Sequence, residues 1–297
     1  MSIDAQANLR TLRDVLRYAT TRFNEAKLSF GHGSPDAFDE AAFIVMRTLN
    51  LPLERLEIFL DAYLTHAEIN TLLQIIDRRV KQRVPAAYLL RESWLMGYKF
   101  YVDERVLIPR SFIGELLKTW LEPWIADPLA VTNVLDLCTG SGCLAIMAAD
   151  FFPNAQVDAV DISKDALAVA RINVDDYGFG ERVNLVESDL FNSLPPKRYD
   201  IIISNPPYVT AESMATLPRE YRHEPSLALA GGDDGLDLVR RIMRQSRAYL
   251  KRDGVLVVEV GDGRPQTDAA FSDIPLTWLT TSAGDDMVFL ARQEELP

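Results

Sequence analysis

Cysteine is nearly absent from this sequence of 297 residues: there are two, Cys138 and Cys143, close together in one motif. That excludes a disulfide framework and a cysteine-built metal cluster, so no metal is expected and a reducing, cytoplasmic setting is. Long apolar runs are missing as well, and none approaches the roughly 20 residues of a membrane helix. Met1–Asp14 mixes polar and charged residues without an apolar stretch, so no secretory leader is expected there. Internal repeats and low-complexity segments are also absent. Basic residues are outnumbered, with 31 Lys and Arg against 43 Asp and Glu and a net charge of -12. Residues 1–90 carry 11 of each sign, so the whole excess of acid falls in the remainder. A bare nucleic-acid backbone calls for a basic groove, and direct binding to DNA is not expected. A basic polypeptide would be drawn to such a surface.

What is present is ordinary globular composition, 48% hydrophobic and 25% charged. The length suggests one large or two unequal domains. Over residues 1–90 the apolar positions recur at helical steps, as in Leu9, Leu12, Leu16, Ala19 and Phe23. Ser34-Pro35 reads as an N-cap with proline in the first helical position, opening a helix whose inner face carries Phe38, Ala41, Ala42, Val45 and Leu49. Thr65-His66-Ala67-Glu68 fits a capping box ahead of Ile69, Leu72, Leu73, Ile76 and Val80. These segments predict a small N-terminal helical bundle. Arg78, Arg79, Lys81 and Arg83 are expected on its solvated surface. Residues 91–110, aromatic and β-branched around Gly97, predict a β-hairpin connector. From about residue 132 strands alternate with helices. The strand candidates are Asn133–Leu137, Gln156–Asp161, Val183–Glu187, Tyr199–Ser204 and Gly254–Val260, followed by a closing hairpin. This pattern implies an α/β fold with a parallel, doubly wound sheet over residues 111–297.

Four elements at the carboxyl ends of those strands carry chemistry, because ligands of open α/β sheets bind there. The first, Asp136-Leu137-Cys138-Thr139-Gly140-Ser141-Gly142-Cys143, has two glycines that allow a tight turn and close approach to a ligand. It lacks the lysine of a phosphate-binding loop and the third glycine of the dinucleotide fingerprint. Asp136 could bind a cationic ligand or orient the loop. The second is Asp161, 21 residues past Gly140, where nucleoside folds place an acid on ribose hydroxyls; Ser163 beside it reads as a helix cap. The third is Asp189, which could accept from an adenine amino group or stand as a solvated loop acid. The fourth is Asn205-Pro206-Pro207-Tyr208. Each proline fixes φ and lacks an N–H, and the residue before a proline is held extended. The result is a stiff corner presenting one amide side chain, one or two carbonyls and an aromatic face, suited to gripping the hydrogens of a planar NH₂ group.

With these four elements in this order, the chain resembles class I S-adenosylmethionine-dependent methyltransferases, and more narrowly the protein-glutamine methyltransferases of release factors and a ribosomal protein. Phe30-Gly31-His32-Gly33 and the run from Glu104 to Leu116 resemble the branch acting on the third protein of the large ribosomal subunit. The release-factor branch tends to have Arg-Pro-x-Thr-Glu where this chain has Arg110-Ser111-Phe112-Ile113-Gly114-Glu115. Arg219–Pro225 and Leu229–Asp237 also look like family segments. The resemblance implies a Rossmann-like domain with a seven-stranded, mostly parallel sheet. It implies S-adenosylmethionine at Asp136, Thr139, Gly140, Ser141, Gly142, Asp161, Asp189 and Asn205, and a glutamine amide at Asn205, Pro206, Pro207 and Tyr208. Asn205, Pro206 and Tyr208 would be catalytic, with the Asn205 oxygen and the Pro206 carbonyl taking the two amide hydrogens. The implied partner is the ribosomal protein, free or in an assembling particle, recognised by the helical bundle. Other readings stay open: a release-factor enzyme, an adenine amino-methyltransferase on nucleic acid, and an inactive fold serving ribosome assembly. His223 and the two cysteines are expected to be structural, and Arg240, Arg241, Arg244 and Arg247 to form a solvated helix face.

Overall fold

The structure is a computed structural model that describes residues 8–297. The part of the leader expectation that falls on Met1–Ala7 lies outside the described residues. The chain divides into two compact units: one runs up to Ser93 and takes in Pro218–His223, and the other holds Trp94–Leu217 and Glu224–Pro297.

The first unit is helical. Helix α1 (Leu12–Glu25) opens on a reciprocal cap, in which Thr11 Oγ accepts the Asp14 N–H while the Asp14 carboxylate accepts the Thr11 N–H. Its stripe of Leu12, Val15, Leu16, Ala19 and Phe23 is buried. Helix α2 (Ala37–Thr48) does not start at Ser34-Pro35 as the sequence suggests. Asp36 is the cap: its Oδ1 accepts the N–H groups of Phe38 and Asp39 at 2.8 and 2.9 Å, and Pro35 precedes the helix. This start leaves Phe38 48% exposed and turns Glu40 inward. After the short α3 (Leu56–Phe59), α4 (His66–Gln82) begins at the Thr65–Glu68 capping box. The short α5 (Ala86–Leu90) closes the unit.

One expectation fails here for a physical reason. Arg79, read as a solvated residue, is fully buried. It falls three residues after Ile76 on the inward face of α4. Its guanidinium binds Glu40 through Nε at 2.6 Å, the Ser29 carbonyl at 3.0 Å and Glu220 at 3.4 Å. Arg83, also expected in solvent, is half-buried and donates to Glu220 at 3.1 Å and to the Ala26 carbonyl. Burial alone would raise the Glu220 carboxyl, but the backbone N–H groups of Glu220 and Ser29, and after them Arg83 and Arg79, hold it below its ordinary range. Truncating one member of such a buried group strands the others without compensation. Arg79→Ala is therefore expected to destabilise the protein by about 3–5 kcal/mol, read as a lower midpoint in urea unfolding followed by circular dichroism, with Arg78→Ala as the surface control.

A two-stranded hairpin, β1 (Ser93–Leu95) and β2 (Tyr98–Phe100), turns through Met96 and Gly97 at the start of the second unit, its first residue, Ser93, still belonging to the helical unit. Next come α6 (Ile113–Lys118), β3 (Asn133–Leu137), α7 (Cys143–Phe151), β4 (Gln156–Asp161), α8 (Lys164–Asp176), β5 (Val183–Glu187) and β6 (Tyr199–Ser204). The remaining elements are α9 (Ala211–Thr216), α10 (Asp237–Tyr249), β7 (Leu250–Glu259), α11 (Arg264–Ala270), β8 (Thr277–Thr281) and β9 (Gly284–Arg292). Seven strands form one sheet in the order β5-β4-β3-β6-β7-β9-β8, parallel except for β9, which runs antiparallel to both neighbours. This is the expected α/β architecture with its closing hairpin. Strand β7 starts earlier than the apolar pattern suggests, because Leu250 pairs with Tyr199 ahead of a register shift. The α10 stripe of Val239, Ile242 and Met243 packs on Leu135, Ile202, Leu256 and Val258 of the sheet. Among the described residues no helix is long and apolar enough to cross a membrane.

The candidate active site

The crossover from β5 to β6 returns the chain to the other side of β3, and this makes β3 and β6 neighbours. Leu137 at the end of β3 registers with Val160 of β4 on one side and with Ser204 of β6 on the other. The strand ends carrying the glycine loop, Asp161 and the Asn205–Tyr208 corner are thus adjacent. The Ser204 hydroxyl closes the gap by donating to the Leu137 carbonyl at 2.9 Å.

The glycine loop is tightly made. Thr139 N–H donates to Val160 O at 2.9 Å, and Gly142 N–H to Thr139 O at 2.9 Å. Gly140 and Gly142 have φ of 55° and 79°, where a side chain is strained. At Gly142 a Cβ would also press Ala170 Cβ at 3.2 Å, whereas nothing lies within 4 Å of the Cβ position of Gly140, so the loop has open space there. Asn173, buried on α8, braces the loop from below by donating to Ser141 O at 2.8 Å and Tyr101 O at 3.0 Å.

Asp136 is 1% exposed, and one carboxylate oxygen accepts the Thr139 hydroxyl while the other has no hydrogen-bond partner. Burial pushes its acid up to about 7, the Thr139 hydrogen bond opposes that, and the nearby negative charge of Asp161 adds to it. Asp161 accepts the Gly140 N–H and the Ser163 N–H, each at 2.9 Å, and burial raises its acid above the usual range. Ser163 is the cap of α8, accepting the Ala166 N–H. Each oxygen of Asp161 keeps a lone pair beyond these two bonds. Asp189 is tied to Arg241 at 2.7 Å. All three acids converge on Cys138: burial first, then Asp161, Asp136 and Asp189, push its thiol up, with Ser204 opposing. The Cys143 thiol is pushed up to about 12 by burial, so both cysteines stay protonated.

At the corner, Pro206 and Pro207 are buried and Asn205 is half-buried. The Asn205 side chain makes no hydrogen bond among the described residues. Tyr208 is held on several sides. A Cβ on Gly261 would come within 2.5 Å of its ring, and one on Gly231 within 2.6 Å of its Cα. Val209 N–H donates to Leu229 O and Gly231 N–H to Val209 O, both at 2.8 Å, which straps the Leu229–Gly231 segment alongside. The Tyr208 hydroxyl donates to Glu259 at 3.3 Å.

Three residues of this arrangement escaped the reading of the sequence. Glu259 stands inside an apolar strand, although an acid at a strand's carboxyl end is the same signal that marks Asp161. Asn173 gave a weaker signal, an amide on the apolar face of a helix. Glu224 grips both nitrogens of the Arg110 guanidinium at 2.6 and 2.8 Å and accepts the Ile108 N–H at 3.0 Å; nothing local to it shows that pairing. Of the residues expected to be structural, His223 donates to the Gln82 carbonyl at 2.9 Å within the helical unit. Arg240 pairs with Asp234, Arg241 with Asp189, and Arg247 with the Leu296 carbonyl.

The relatives decide between the branches. A protein named ribosomal protein uL3 glutamine methyltransferase in Burkholderia pseudomallei (strain K96243) is 59% identical over 295 residues, covering 97% of this chain and 96% of the relative. Proteins of the same name in Bordetella pertussis and Neisseria meningitidis serogroup A are 53% and 55% identical and match nearly end to end. The chain belongs to the ribosomal protein uL3 glutamine methyltransferase family. The run from Glu104 to Leu116 had pointed to this branch of the protein-glutamine methyltransferases, and the release-factor alternative is set aside. A family model, the methyltransferase small domain, matches residues 119–218, which include the glycine loop and the corner. Among solved structures, the hMettl16 catalytic domain in complex with MAT2A 3'UTR hairpin 6 has a TM-score of 0.51 and 16% identity, covering 76% of this chain and 80% of that one, which shows the fold alone.

The raised acid of Asp136 has a measurable consequence. A carboxyl whose folded value lies above its unfolded value stabilises the fold fully at low pH, and that contribution is lost as pH rises through the folded value. Between about pH 4 and the folded value of about 7, the ligand-free protein should lose a few kcal/mol through this one group. Asp136→Asn should flatten the fall in melting temperature over that window in scanning calorimetry. A slope equal to that of wild type would rule out the buried charge as its source.

Proposed function

We propose that the chain transfers a methyl group from S-adenosylmethionine to the side-chain amide nitrogen of a glutamine in ribosomal protein uL3. The observation that carries this reading is the unpartnered Asn205 amide on a rigid Pro-Pro corner, one strand away from an open glycine loop backed by acids. The substrate comes from the names of the full-length relatives. A ribosomal-protein substrate, free or in an assembling particle, implies work in the cytoplasm, and the helical unit is the proposed recognition module.

The loop fits S-adenosylmethionine. Gly140 borders open space, Asp161 retains lone pairs, and the buried Asp136 has an oxygen in need of a partner. Asp136, Thr139, Gly140, Ser141, Gly142 and Asp161 would hold the cofactor. Asp161 would accept from the ribose hydroxyls. Asp189 would use its remaining acceptor capacity on the adenine amino group while bound to Arg241. When bound, the cofactor supplies an electrophilic methyl group on a positively charged sulfur.

The protein's own task is to make an amide nitrogen nucleophilic. Its lone pair is delocalised into the carbonyl, so methylation requires pyramidalisation and a growing positive charge. The Asn205 side-chain oxygen and the Pro206 carbonyl would each accept one amide hydrogen. They would then turn the lone pair toward the methyl donor and stabilise the charge where it develops. Tyr208 and Pro207 would wall the slot and restrict rotation of the glutamine side chain. The N-methylated amide carries one proton too many and is acidic enough to release it to water, so no strong general base is required of these residues.

Asn205→Ala is expected to lower kcat by roughly a hundredfold or more, the scale of losing one oriented hydrogen-bonding group, with S-adenosylmethionine binding retained in calorimetry. Unchanged turnover would sink the amide grip. Asp161→Ala should weaken binding of S-adenosylmethionine in the same titration, and wild-type affinity would remove the ribose role. For the substrate, purified enzyme, labelled S-adenosylmethionine and uL3 should yield one methylated glutamine by peptide mass spectrometry. Label on a release factor or on DNA instead would overturn the assignment.

A further inference from the structure

Glu259 at the end of β7 is 1% exposed and is the meeting point of two segments far apart in sequence. One carboxylate oxygen accepts the Tyr208 hydroxyl at 3.3 Å. The other accepts the Ser111 hydroxyl at 2.6 Å and the Phe112 N–H at 2.9 Å. Ser111 is 3% exposed, and its own Oγ also accepts the Ile113 N–H at 3.2 Å, which fixes the start of α6. The carboxylate is thus engaged on one side by the Ser111 hydroxyl and the Phe112 N–H and holds one further donor on the other, the Tyr208 phenol. A buried carboxylate that is not paired with a cation stays in place only when donors surround it. Here one of those donors comes from the corner itself. The Gly261 backbone, two residues on, packs close against the Tyr208 ring, and Glu259 holds its hydroxyl end.

We propose that Glu259 is a positioning residue for the methyl-transfer site, acting through the Tyr208 hydroxyl to fix the aromatic wall of the amide slot and fixed in turn by Ser111 and the Phe112 N–H. The inference rests on the reading that Tyr208 lines that slot. It adds a chain of contacts, Ser111 to Glu259 to Tyr208, by which the Pro109–Leu116 segment sets the geometry of the corner. Nothing in it requires Glu259 to touch substrate or cofactor.

Three variants test it. Glu259→Gln keeps the shape and an acceptor for Ser111 and Phe112 but offers Tyr208 an amide donor in place of an acceptor. Tyr208→Phe removes the hydroxyl alone. Ser111→Ala removes one support and leaves the carboxylate, which keeps the test usable if Glu259→Gln fails to fold. The first readout needs no methyl acceptor: in enzyme labelled with 3-fluorotyrosine, the fluorine resonance lost in Tyr208→Phe should shift in Glu259→Gln and in Ser111→Ala. The second is kinetic. Glu259→Gln should lower kcat on uL3 roughly tenfold, the low end of what losing an orienting outer partner costs at metal centres, with affinity for S-adenosylmethionine unchanged. In the Tyr208→Phe background the same substitution should have little further effect, because both changes break one path. A folded Glu259→Gln enzyme with an unmoved resonance, with wild-type kcat, or with a loss that multiplies on that of Tyr208→Phe would overturn the proposal. If wild-type enzyme fails to methylate uL3, the glutamine reading falls while the fluorine shift still decides whether Glu259 holds Tyr208.

Discussion

The site depends on the placement of β3 between β4 and β6. A parallel sheet that reverses its winding direction leaves a crevice at the carboxyl ends of the two strands flanking the switch. Here the register sets Val160, Leu137 and Ser204 side by side, so the three loops that follow them leave the sheet at the same level. The glycine loop borrows a carboxylate from the next strand for its Gly140 N–H, and the corner is held to β3 by Ser204. A slip of one residue in either pairing would turn these groups to the other face of the sheet.

The same placement concentrates negative charge. Asp136, Asp161 and Asp189 all act on one thiol, and of the three only Asp189 has a cationic partner, Arg241, among the described residues. Burial drives the first two toward their neutral forms, a cost to the empty fold that a positively charged ligand would offset. The helical unit treats buried charge differently. Glu40 and Glu220 share Arg79, and each nitrogen of that guanidinium donates inside the unit. One cluster is closed. The other keeps a buried acceptor, Asp136 Oδ1, without a hydrogen-bond donor among the described residues.

Much of this was legible along the chain. The strands β3 to β6 were found within their limits, because short apolar runs bounded by turn residues have few other uses. The corner and the glycine loop were legible because proline and glycine restrict or free the backbone wherever they stand. The errors came from side chains whose partners are remote. Arg79 looked solvated among Arg78, Lys81 and Arg83, yet a carboxylate 39 residues earlier draws it inward. Ser34 looked like a cap until Asp36, two residues on, took the amides. Glu259 was hidden by the apolar run that carries it, since its donors lie 51 and 148 residues away.

The sequence by itself determined the local rules: periodicity, caps, the stiff corner, the tight loop, and which residue types stand at strand ends. Those are properties of the backbone and of near neighbours, and they survive without a partner. Tertiary structure alone decided which strand ends are neighbours, which acids are desolvated, and that Tyr208, Glu259 and Ser111 form one chain of hydrogen bonds. These follow from burial and from pairing across long separations, which appear once the sheet has brought distant segments together.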